Sequence, residues 1–138
     1  MEGSPDLWDF AGDWRLSRRI DDRRAGTAAT FEGRAVFAPD GDGLAYVETG
    51  TLHLPGQPPL EGSRRYQWRP GIHVHFEDGR FFHAIPPQDL RPEASHDCAP
   101  DLYHVSYDFS DWPVWRAEWR VQGPRKDYTL VSDYTPER

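Results

Sequence analysis

From Trp14 onward, apolar and polar residues alternate with a period of two. Only short clusters of turn chemistry interrupt the pattern: Ala25-Gly26, Asp40-Gly41-Asp42-Gly43, Pro70-Gly71, Asp78-Gly79 and Gly123-Pro124. That period puts successive side chains on opposite faces of an extended strand and is foreign to a helix. It predicts strands over 14–24, 27–37, 44–54, 63–69, 72–77, 80–86, 101–109, 112–122 and 127–135, with Pro-rich loops at 55–62 and 86–100. Residues 4–11 read as one short helix, with Ser4 as its cap and Pro5 at its first position. Short connections make consecutive strands antiparallel neighbours, and such a meander has two edges to hide. The expectation is an all-β chain: a single antiparallel up-and-down barrel of about 8–10 strands. It spans residues 1–138 as one domain behind the short N-terminal helix.

Charge and composition narrow the partners. Sixteen Lys and Arg stand against 23 Asp and Glu, for a net charge of −7. No basic cluster is long enough to follow a phosphate backbone, so no nucleic-acid partner is expected. No apolar run approaches a membrane span, and the first residues are acidic rather than signal-like, which predicts no membrane partner and a cytoplasmic location. The lone Cys98 suits a reducing compartment. Lys126 is the only Lys and Asn is absent, a bias read here as that of a GC-rich bacterial genome.

Register arithmetic locates the interior. A two-residue Ala25-Gly26 turn pairs Arg18 with Gly33 and sets Arg19 against Glu32 on the outer face. Continuing across 38–43 pairs Gly33 with Glu48, so Arg18 is expected to lie across the glycine and reach that carboxylate. The Asp78-Gly79 hairpin pairs Phe76 with Phe81 and Val74 with His83, turning His83 inward and His73 and His75 outward. A strict Pro70-Gly71 turn would reverse the last two. Proline suits other turn types, so a bulge or longer loop is expected to align Tyr66 and Trp68 with Val74 and Ile72 and to turn Arg64 inward. Tyr103, Tyr107, Trp115, Trp119, Ser132 and Tyr134 alternate onto the same inner face.

Gly12-x-Trp14 at the head of the first strand, after a short helix, resembles the opening motif of lipocalins and their calycin relatives. In that family the Trp closes one barrel end beneath an Arg from the last strands. The resemblance therefore implies closure by Trp14 with Arg125 and Lys126. Blocks such as GDWRLSRRI, FEGRAVF, FEDGRFFH and GPRKDY are similar to an uncharacterised bacterial family of short calycin-like proteins. That likeness spans nearly the whole chain, supports the barrel and implies no activity.

An interior holding Arg18, Glu48, Arg64 and His83 among rings is unusual for a purely structural core. The first reading is a cavity that binds a small, partly aromatic or acyl, anionic molecule. Arg18 and Arg64 would hold the anion; Glu48, His83, Tyr46, Tyr66, Trp68, Tyr103, Tyr107 and Trp119 would line the site. The second is a cofactor-free decarboxylase, isomerase or cyclase, with Glu48 and His83 as acid and base, by analogy with phenolic acid decarboxylases. Haem or metal binding through His73 and His75 is a lesser third. His96 and Cys98 supply two candidate zinc ligands or a thiolate, short of a tetrahedral set. Structural roles compete throughout: a hydrogen-bonded core histidine, a buried Arg18–Glu48 pair, an aromatic core. No cofactor and no metal are expected, and the oligomeric state is monomer or homodimer.

Overall fold

The alternation carries through to the backbone. The computed structural model describes residues 4–137. After a single 3-10 turn at Leu7–Phe10 come ten strands: β1 (Gly12–Asp22), β2 (Thr27–Asp40), β3 (Gly43–His53), β4 (Leu60–Arg69), β5 (His73–Phe76), β6 (Phe81–Ala84), β7 (Glu93–Cys98), β8 (Asp101–Asp108), β9 (Trp115–Gly123) and β10 (Lys126–Pro136). They form one antiparallel sheet in the order β6-β5-β4-β3-β2-β1-β10-β9-β8-β7. The sheet curls so that β6 approaches β7 without a hydrogen-bonded ladder, giving a nearly closed barrel with one seam. The expected all-β barrel is observed. None of the described helices is long and apolar enough to cross a membrane.

Several local expectations need correction. The N-terminal helix shrinks to the 3-10 turn, where the Asp6 N–H donates to Asp9 Oδ2 at 2.7 Å. Ser4 caps nothing there; its Oγ accepts the Gln88 N–H at 2.6 Å. The β1–β2 connection takes four residues, so Arg18 pairs with Phe31 and Leu16 with Gly33. A tight Gly41-Asp42 turn slides β2–β3 by two residues as well, so Glu48 pairs with Ala35 and Gly33 with Gly50. Shifts of two preserve every face. Arg19 consequently meets Asp133 at 3.7 Å instead of Glu32, which accepts from Ser17.

The stretch assigned to a Pro-rich loop at 86–100 contains β7. This extra strand inverts the parity of every later strand. β10 starts beside the end of β1 at Asp22 and finishes beside Trp14, so Arg125 and Lys126 lie at the end of the barrel away from Trp14. Lys126 there binds Asp101 at 2.9 Å, and Arg125 is exposed. The Trp14 end is closed by rings. Phe10 sits 5.0–5.7 Å from Phe37, Trp68, Phe109, Trp112 and Trp115, and its carbonyl accepts the Trp14 indole N–H at 2.9 Å.

The β4–β5 loop does lengthen: Gly71 and Ile72 take φ of 82° and 55°, and Trp68 faces Val74 rather than Ile72. Tyr66 faces Phe76 rather than Val74. A bulge at Val74/His75 then exchanges two phenylalanines. Phe82 is fully buried, whereas Phe81, expected inside, is exposed against His73 and His75.

Gly33 and Gly50 face each other where β2 and β3 bend most closely together. A Cβ on Gly33 would run into the Thr49 carbonyl and approach the Gly50 Cα at 2.6 Å. The glycine thus serves backbone approach between strands rather than passage of Arg18. Gly33→Ala should lower stability by about 1–3 kcal/mol through forced separation of the two strands. Urea unfolding will show this as a lower midpoint; an unchanged midpoint would contradict the packing.

Candidate functional site

Strand pairing and strand coiling assemble a polar wall inside the barrel. Arg18 projects inward from β1, and Ser132 lies directly opposite it on β10. Glu48 projects from β3, and the long Arg18 side chain crosses β2 diagonally to meet it. Arg18 Nη1 donates to Glu48 Oε2 at 2.6 Å, Nη2 to Oε1 at 2.9 Å, and Nε to Ser132 Oγ at 2.7 Å. The Tyr46 hydroxyl donates to Glu48 Oε1 at 2.6 Å. Its hydrogen being committed, Tyr46 accepts from the Tyr134 hydroxyl 2.8 Å away. Arg18 and Glu48 are 7% and 2% exposed, so this is a fully buried, hydrogen-bonded ion pair.

That geometry sets the electrostatics. Burial alone would push the Glu48 carboxyl up, but the Arg18 hydrogen bonds and charge, then Tyr46 and Arg64, hold it below the usual carboxylate range. Burial likewise opposes the charge on Arg18, and Glu48 outweighs it. Burial raises the Tyr46 hydroxyl well above its ordinary value and pushes Tyr134 to about 12. The wall therefore holds one fixed positive and one fixed negative charge, with neutral phenols.

The opposite wall is different. His83 on β6 places Nε2 2.8 Å from the Tyr107 hydroxyl on β8, a hydrogen bond that spans the seam. Burial first, and the neighbouring His96 second, depress His83 to about 3, so its imidazole is neutral at pH 7. One hydrogen of this pair lacks an acceptor among the described residues. If Tyr107 donates to Nε2, the Nδ1–H is left over; if Nε2–H donates, the phenol hydrogen is. The Trp115 indole Nε1 is buried and unpartnered too, its ring stacked on Tyr134 at 3.8 Å.

Between the walls lies a cavity of about 30 Å³, bounded by both polar groups together with Trp68, Ala117 and Leu130. That volume holds roughly two waters. Arg64 borders the cavity yet is exposed, so the space reaches solvent beside it. Its guanidinium carbon stands 5.9 Å from the centre of the Trp119 ring on the facing side of the barrel. Arg64 takes part in none of the ion pairs among the described residues, whereas neighbouring Arg65 faces Glu77 at 3.9 Å.

The structure thus brings Arg18, Glu48, Arg64, His83, Tyr46, Tyr66, Trp68, Tyr107 and Trp119 to one cavity. Tyr103 packs behind that wall on Phe82 and Trp119. His73 and His75 point outward against Phe81. His96 fills the seam and Cys98 is exposed; no group of three metal-ligating side chains occurs among the described residues. Ser132, Tyr134 and Trp115 belong to the site but were expected only as barrel lining. Their partners become legible once β10 is known to pair with β1.

Residues 10–136 match DUF6314, described as a family of unknown function. No curated protein matches the sequence. Among solved structures, the fold is similar to an S-type phycobiliprotein lyase, CPES, from Guillardia theta. The TM-score is 0.64 over 97% of this chain and 94% of that one, at 8% identity. Such a likeness speaks for the barrel alone.

The buried polar groups set two expectations for stability. Glu48→Gln leaves Arg18 buried without its counter-charge and should cost about 3–5 kcal/mol in denaturant unfolding. A loss below about 1 kcal/mol would be incompatible with a buried bidentate pair. His83 binds its proton more weakly folded than unfolded, so its contribution is complete above pH 6.5 and falls away as pH drops toward about 3. Glu48, also depressed, adds loss only below its unfolded value near about 4.3. Replacing His83 with Leu should therefore flatten the stability profile between about pH 4.5 and 6.5. An unchanged slope there would place the acid sensitivity elsewhere.

Proposed function

The chain belongs to the DUF6314 family, and from its site we propose that it binds a small, partly aromatic or acyl, anionic molecule in the barrel. Arg64 carries this reading: a guanidinium without an ion-pair partner among the described residues, arched over the Trp119 ring where the cavity meets solvent. An arginine so placed takes the anionic group, while Tyr66 and Trp119 offer ring faces to the apolar body. Arg18 does not share that task. Glu48 neutralises it and, with Ser132, engages three of its N–H groups.

Sites for organic ligands run to about 300–1,000 Å³, and the interior space is about 30 Å³. Binding therefore moves the mouth rings aside and widens the seam, where no backbone ladder has to break. The geometry favours holding a molecule over transferring its protons. Glu48 is clamped in its ionised form, and burial keeps His83 from accepting a proton near neutrality. An effective acid–base pair titrates near the working pH.

Calorimetric titration with 2-naphthoate and its neutral amide tests the assignment. Arg64→Gln should weaken the carboxylate about tenfold or more and leave the amide unchanged. Equal affinity of wild type and variant for 2-naphthoate would overturn the role of Arg64, and with it the anionic-ligand reading.

A further inference from the structure

The inner wall of the cavity offers hydrogen-bond donors with nothing to receive them. One is the Trp115 indole N–H; the other is a hydrogen of the His83–Tyr107 pair, on Nδ1 or on the phenol. All three side chains are at least 94% buried, with exposures of 2%, 2% and 6%. Buried polar atoms without partners are rare in folded proteins, and here both belong to side chains that line one cavity. Two acceptors of the opposite wall are already engaged: Glu48 receives Arg18 twice and Tyr46 once, and the Tyr46 oxygen receives Tyr134.

Resting on the binding reading above, we infer that this inner wall is the seat of a neutral carbonyl oxygen of the ligand. A carbonyl has two lone pairs and no hydrogen, matching two donors. A hydroxyl or amine would bring a hydrogen that these two donors cannot receive, and a second anion would share the cavity with the Glu48 carboxylate. The ligand class is then an aryl or acyl carbonyl compound with an anionic group at its far end. Its carbonyl enters first and its charge stays at Arg64. The cavity of about 30 Å³ has room for roughly two waters beside these side chains.

The test compares two probes that differ only at the proposed contact, 6-acetyl-2-naphthoate and 6-ethyl-2-naphthoate, by calorimetry on the full chain. The acetyl probe should bind wild type about tenfold more tightly than the ethyl probe. Its carbonyl stretch should shift to lower frequency on binding. Tyr107→Phe, which removes only the hydroxyl, and Trp115→Phe, which puts a smaller ring without the N–H in place of the indole, should each reduce that preference; Tyr107→Phe should leave the ethyl probe within about twofold. Equal affinity of the two probes for wild type overturns the carbonyl seat while the binding reading stands. An acetyl preference that survives both variants also overturns it. Binding of neither probe overturns the binding reading and the seat together.

Discussion

The hydrogen-bonded ion pair between Arg18 and Glu48 organises the inside of this barrel. It joins β1 to β3 across β2, and through Ser132 and the Tyr46–Tyr134 hydroxyls it reaches β10. Taking both charges out of water is expensive, and their mutual attraction roughly offsets that cost. Its value is therefore positional. A one-residue slip of β1 or β3 would turn a charged side chain outward and strand its partner in the core. Apolar side chains at these positions would tolerate several registers, whereas the pair tolerates one.

This arrangement leaves the two walls with different chemistry. The β1–β3–β10 wall is saturated: its charges cancel and its phenols are tied into the network. The wall built from β6, β8 and β9 is unsaturated, with two buried polar atoms that have no partner among the described residues. Arg64 alone supplies uncompensated charge, and it does so at the solvent boundary, where a guanidinium keeps much of its hydration. Charge outside, neutral donors inside and rings between them give the cavity a polarity gradient along its axis.

Much of this is legible in the amino-acid sequence itself. Side-chain alternation assigns Arg18, Glu48 and His83 to the interior, and all three are there. Register is harder, because two-residue steps leave the alternation intact and turn residues do not announce loop length. Ala25-Gly26 ends a four-residue loop, and Gly41-Asp42 closes a tighter hairpin than the composition of 38–43 suggests. One loop is longer than expected and the other shorter, so in an antiparallel meander the two shifts add and bring Arg18 level with Leu52; it still reaches Glu48 because its side chain is long enough to cross diagonally. β7 is hidden because Glu93-Ala94-Ser95-His96-Asp97-Cys98 is polar on both faces, as suits a strand at a sheet edge. Missing it inverts the parity of the last hairpin and misplaces Arg125 and Lys126.

The seam between β6 and β7 is not uniform along its length. Near Trp14 the 86–92 segment is laced to the body by backbone: Leu90 and Pro92 carbonyls accept the Phe109 and Tyr107 amides at 2.8 and 2.9 Å, and Gln88 binds Ser4. At mid-height the His83–Tyr107 hydrogen bond links the two sides, and beyond it the contacts are between rings, His96 and Tyr103 against Phe76 and Phe82. Stiffness therefore decreases steadily from base to rim. A barrel graded in this way flares like a collet, its base acting as a fulcrum, so that whatever parts the rim leaves the aromatic floor in register.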